Sequence, residues 1–172
     1  MNAHRHAALP RLLIIDPNRL CRSTVAGVCR SLELAQVHQV ASIALGLQVL
    51  REHTVDAVLL SLADPQPALD LLEQLREARF RTASDVPVAV TATEVDAEAV
   101  QRLKALGIQQ IVLAGFMTHM CINSTAHGGF NLGYAPTVVA SATATRPLQG
   151  PNGKVLTARE VHDGALASTR DL

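Results

Sequence analysis

Arg11-Leu12-Leu13-Ile14-Ile15-Asp16 contains an unbroken apolar run that ends on a carboxylate. Side chains of a strand alternate between the two faces of its sheet, so a run without alternation needs apolar cover on both sides. That is the condition of a central strand in a parallel sheet with helices above and below. The chain then repeats the theme. Asn18 can cap a helix that carries Leu20, Val25 and Val28 and ends near Leu32. Strand Gln36–Ala41, helix Ile43–His53 and strand Ala57–Leu62 follow at βαβ spacing. After Pro65 and Pro67 a helix is expected from about Ala68 to Arg79, then a strand Pro87–Ala92 and a helix Asp96–Leu106 closed by Gly107. Ile111–Gly115, Thr118–Leu132 and Thr137–Thr143 read as strand, helix and strand. A turn at Gln149–Lys154 precedes a last helix, Ala158–Ser168, with Val161, Ala165 and Leu166 as its inner stripe.

These elements sum to one α/β domain over residues 1–172: a three-layer α/β/α sandwich with a mainly parallel six-stranded sheet of order 2-1-3-4-5-6. Tyr134 is the single tyrosine and tryptophan is absent, so Leu, Val, Ile and Ala must build the core. The 15 basic and 15 acidic side chains cancel, which leaves no electrostatic footprint for nucleic acid or an anionic membrane. Three cysteines, Cys21, Cys29 and Cys121, are an odd number without zinc-site spacing, so neither a disulfide framework nor a metal is expected, and no cofactor is implied. The N-terminus has no apolar segment of signal-peptide length, and the expected location is cytoplasmic. A homodimer through the exposed edge of the sixth strand is the one partnership the topology suggests.

The stretch with chemical content is Ile111 to Ala126. It joins a buried strand, a turn at Gly115 and a helix whose first turn carries Cys121. Unpaired N–H groups at a helix N-terminus push a thiol toward the nucleophilic thiolate. The same spacing also fits a small buried apolar residue.

Gly115-x-x-Thr118-x-x-Cys121, followed by Asn123-Ser124-Thr125-Ala126, Phe130-Asn131-Leu132-Gly133-Tyr134 and the strand Thr137-Val138-Val139, resembles the isochorismatase-like cysteine hydrolases. The likeness runs over residues 112–172. It implies Cys121 as nucleophile, a cis peptide between Phe116 and Met117, and an oxyanion hole from the N–H groups of Met117 and Cys121. It also implies a general base at the end of the first strand, where Asp16 stands, and a lysine after a middle strand. That lysine is missing, since Lys104 lies on the fourth helix and Lys154 in the late turn. Arg79 and Arg81 are poor substitutes, because a planar guanidinium does not replace a compact ammonium. The metal-binding Asp and His pair of nicotinamidases is also missing. His127-Gly128-Gly129 interrupts the nucleophile helix, and two glycines at about 1 kcal/mol each should weaken or kink it. The seven histidines read as surface residues.

Residues 11–111 resemble instead a response-regulator receiver, a flavodoxin-like domain, through Leu12–Asp16, Val58–Leu62 with Pro65, Val86–Ala92 with Thr91, and Ala105-Leu106-Gly107. The likeness implies chemistry at the carboxyl ends of the strands. The phosphoacceptor position, however, holds Ser61, Asp16 is followed by Pro17 instead of a second acid, and Ala114-Gly115 replaces Lys-Pro. With both functional sets broken and both core patterns kept, the leading expectation is an engineered or recombined chimera without phosphotransfer or hydrolase activity. The alternatives are a weak, degenerate cysteine hydrolase using Cys121 with Asp16 as a vestigial base, and a pseudo-receiver that acts as an interaction module.

Overall fold

A computed structural model describes residues 8–92 and 97–172. The chain divides into two compact units, Met1–Ile108 and Gln109–Leu172.

In the first unit, β1 (Arg11–Ile15), β2 (Gln36–Val40), β3 (Ala57–Ser61) and β4 (Val88–Thr91) form a parallel sheet of order β2-β1-β3-β4. The registers Ile15↔Val40, Ile15↔Leu60 and Ser61↔Thr91 bring the carboxyl ends of the strands level. Between them run α1 (Arg19–Ser31), α2 (Ile43–Glu52), α3 (Pro65–Arg76) and α4 (Ala97–Ala105). Strand alternation separates the layers. Leu13, Ile15, Val58 and Leu60 pack with Val49 and Leu50 of α2, Leu69, Leu72 and Leu75 of α3, and Ala99 and Leu103 of α4. Ile14 points to the other face, where Ala26 and Cys29 of α1 are buried. The three-layer α/β/α arrangement and the parallel sheet are as the apolar runs predict.

Local chemistry sets the helix starts. The Asn18 side chain accepts from the N–H groups of Leu20 and Cys21, and the Ser42 hydroxyl accepts from Leu45. The third helix begins at Pro65, three residues before its expected start, with Asp64 at the N-cap. Prolines are at home in a first turn, whose N–H groups have no intrahelical partner. Asp96, the expected first residue of the fourth helix, lies outside the described residues. Gly107 closes α4 at φ +84°, a conformation that favours glycine.

In the second unit, β5 (Gln110–Phe116) pairs in parallel with β6 (Ala135–Ala144), with an irregularity in which Leu113 and Gly115 oppose Val138 and Thr143. After β5 come a π-helical segment, Thr118–Ile122, and α5 (Asn123–Asn131). β7 (Leu148–Gln149) and β8 (Val155–Leu156) form an antiparallel hairpin where a plain turn was expected, and α6 is Ala158–Ser168, the span expected. Of the expected order 2-1-3-4-5-6, the described strands show β2-β1-β3-β4 in the first unit and β5-β6 in the second. Hydrophobic periodicity identifies a segment as a strand but does not choose its ladder partner. The helix after Cys121 is also unbroken through Gly128-Gly129.

Candidate functional site

The turn that carries Cys121 is built by β5. The strand delivers the chain to Gly115 at φ +117°, and the Phe116–Met117 peptide that follows is cis. The next five residues form a π-helical turn instead of the first turn of an α-helix, with the N–H of Ile122 directed to the carbonyl of Met117 at 3.4 Å, a five-residue spacing. The Met120 N–H donates to the same carbonyl at 3.0 Å. Met117 and Cys121, the two residues that the resemblance implies for the oxyanion hole, therefore share one short turn, Met117 at its start and Cys121 within it. Cys121 is exposed. The reading of Cys121 as a small buried residue is thereby corrected.

The turn is tied down on both sides of Cys121. The buried Thr118 hydroxyl lies 2.9 Å from His162 Nδ1 on α6. The Asn123 amide donates to the Ala165 carbonyl at 3.3 Å and to the Ser168 hydroxyl at 2.8 Å, both on the same helix. His119 Nδ1 is hydrogen-bonded to the Thr145 hydroxyl just past β6. His119 and His162 are thus partly buried and engaged, unlike the surface residues expected, whereas His38, His53 and His127 are exposed. His4 and His6 lie outside the described residues. A usable signal for His162 was its place beside Val161 and four residues before Leu166, on the rim of the inner stripe.

In the first unit, Asp16 directly follows β1 and is buried. Its carboxylate accepts from the Asn18 N–H at 2.7 Å, and its carbonyl accepts from the Arg22 guanidinium. The hydrogen bond from the Cys21 thiol to Asp16, together with burial and the carboxylate's charge, pushes the Cys21 thiol above its ordinary value, against a smaller opposing pull from Arg22. Ser61, at the phosphoacceptor position, ends β3 opposite Thr91, and its hydroxyl accepts from the Ala63 N–H at 3.3 Å. Arg79, one of the two candidate stand-ins for the missing lysine, is paired with Glu77 at 2.6 Å on the surface. Among the described residues no group of three His, Cys, Asp or Glu side chains is placed to hold a metal ion, and no helix is long and apolar enough to cross a membrane.

More than half of the chain is similar in fold to solved receiver domains. The structure is similar to a response regulator receiver protein from Pseudomonas putida, with a TM-score of 0.52 and 19% identity over 59% of this chain and 83% of the other. It is similar to the chemotaxis protein CheY4 of Vibrio cholerae, with a TM-score of 0.51 and 19% identity over 58% of this chain and 82% of the other. At that identity the likeness is one of fold. In sequence, an uncharacterized isochorismatase family protein of Bacillus subtilis (strain 168), YddQ, is 36% identical over 67 residues, which are 39% of this chain and 37% of the relative. The chain therefore spans little more than a third of that relative's length. Residues 91–169, a little under half of the chain and including the whole turn around Cys121, match the model of the isochorismatase domain.

Proposed function

We propose that the segment from β5 to α6 carries the nucleophile of a degenerate isochorismatase-like cysteine hydrolase. The Cys121 sulfur attacks a carbonyl carbon, and the N–H groups of Met117 and Cys121 receive the charge that develops on its oxygen. The C–O or C–N bond then breaks to release the alcohol or amine with a proton, and water hydrolyses the Cys121 thioester to the acid. The observation that carries this reading is the exposed Cys121 on a π-turn at the carboxyl end of a parallel strand, inside the stretch that matches the isochorismatase domain. That match supports the hydrolase reading over an inactive recombined chain, because it covers the nucleophile turn and the elements that hold it as one family domain.

Turnover should be slow. The chain's two lysines are Lys104 on α4 and Lys154 in the β7–β8 hairpin, and neither follows a strand of a parallel ladder as the supporting cation of the triad would. A triad short of one member keeps only part of its rate, from binding and the oxyanion hole. Asp16, the base that the resemblance implies, is engaged within its own unit by Asn18 and Cys21. Activated esters and simple amides, assayed with the intact chain and with Cys121→Ala, test the proposal. Slow hydrolysis that the substitution abolishes, with an acyl adduct on Cys121 by mass spectrometry, is the expected result. Equal rates for the two proteins would remove it.

A further inference from the structure

We infer that α6 is a positioning strap for the nucleophile, with His162 and Thr118 as its coupling pair. This rests on the hydrolase reading of Cys121 and assigns residues outside its triad. The segment from Thr118 to Asn123 holds Cys121 near its middle, and both ends are bonded to α6: Thr118 to His162, and Asn123 to Ala165 and Ser168. His119 supplies a third tether, to Thr145. Thr118 is only 2% exposed, so its hydroxyl has no water to turn to if His162 is removed. A π-turn is wider than an α-turn and rarely stands without support. Fixing it from a second helix at both ends sets the direction of the Cys121 thiol before substrate arrives, which is what a nucleophile needs to lose little rate to misplacement.

His162 touches neither substrate nor thiol in this scheme. Its effect passes through Thr118, so the two residues must be energetically coupled. The test is the rate of Cys121 alkylation by iodoacetamide as a function of pH, read site by site by peptide mass spectrometry on the full chain, with Cys21 as internal control. His162→Leu and Thr118→Val should each change the Cys121 rate about fivefold, the factor carried by one neutral hydrogen bond, and the double variant should change it no further. His162→Asn, whose amide can place a polar atom near the position of Nδ1, and Thr118→Ser should both restore the original profile. The Cys21 rate should stay constant throughout.

An unchanged Cys121 rate in His162→Leu, additive effects in the double variant, or no rescue by asparagine and serine would each overturn the inference. If His162→Leu loosens α6 altogether, seen as lost amide protection along the helix, the milder Thr118→Val and Thr118→Ser pair decides. Alkylation reads the thiol and not turnover. Failure of Cys121→Ala to abolish hydrolysis would sink the hydrolase reading and leave the coupling result standing on its own.

Discussion

Gly129 of α5 lies so close to Ile111 of β5 that a Cβ added there would stand 2.8 Å from Ile111 Cδ1. Its neighbour Gly128 faces open space, with nothing within 4 Å of the same added atom. The pair that looked like a weak point in the nucleophile helix is therefore one glycine that lets the helix approach its sheet and one that does not. Gly128→Ala should raise stability by about 0.5–1 kcal/mol, the helix-propensity difference. Gly129→Ala gains the same propensity but must push aside the end of the Ile111 side chain, so its net gain should be smaller than that of Gly128→Ala. Urea unfolding followed by far-UV circular dichroism measures both, and a gain in Gly129→Ala equal to that in Gly128→Ala would refute the distinction.

Arg76, in the last turn of α3, donates to three backbone carbonyls: Ser84 at 2.6 Å, Val86 at 3.1 Å and Leu106 at 3.3 Å. One guanidinium thus ties the end of α3 to the approach to β4 and to the residue that follows α4. A fork of fixed donors suits this task and an ammonium does not. Arg76→Met keeps much of the stem and loses the donors, and should cost about 2 kcal/mol. Arg76→Lys should recover less than half of it. The urea midpoint measures the loss, and amide exchange in β4 locates it.

Cys21 and Asp16 make a prediction opposite to that for a reactive thiol. Because the carboxylate accepts the thiol's hydrogen bond and adds negative charge beside it, Cys21 should be alkylated more slowly at pH 8 than a free cysteine. Asp16→Asn removes the charge while leaving an amide oxygen for the Asn18 N–H. Cys21 should then react faster, with its profile moved to lower pH. An unchanged profile would show that Asp16 does not control this thiol.

The start of α6 should be acid-sensitive. Thr157 and Glu160 form a reciprocal capping box, with the Glu160 carboxylate accepting from the Thr157 N–H at 2.7 Å and from its hydroxyl at 2.9 Å, and the Thr157 hydroxyl accepting from the Glu160 N–H at 3.2 Å. These bonds hold the Glu160 carboxyl below the usual range of about 4.3. A lowered folded value means that the stabilisation is fully present above the unfolded value and is lost as pH falls through the folded one. Asp56, held low by the Arg11 backbone N–H and guanidinium, behaves the same way in the first unit. Amide protection over the first turn of α6 should therefore fall on acidification below about pH 4. In Glu160→Gln it should start lower at neutral pH and change less.

How much of this was legible without coordinates can be judged from particular residues. The run Leu12–Ile15 announced a strand covered on both faces, and its neighbours Ile14 and Leu13 do serve opposite layers. Asn18 and Gly107 marked helix ends because capping is decided within a few residues of chain. The cysteine turn was visible as a motif for the same reason: a strand, a glycine and a helix in succession are local. What tertiary structure decided was every relation between segments distant in sequence. Whether β5 pairs with β6, whether Gly128 or Gly129 meets Ile111, and whether His162 is a surface residue or the partner of Thr118 each depend on contacts across 18 to 44 residues. Local propensity carries no information about such contacts, because the same apolar stripe can pack against many partners and only the assembled fold selects one.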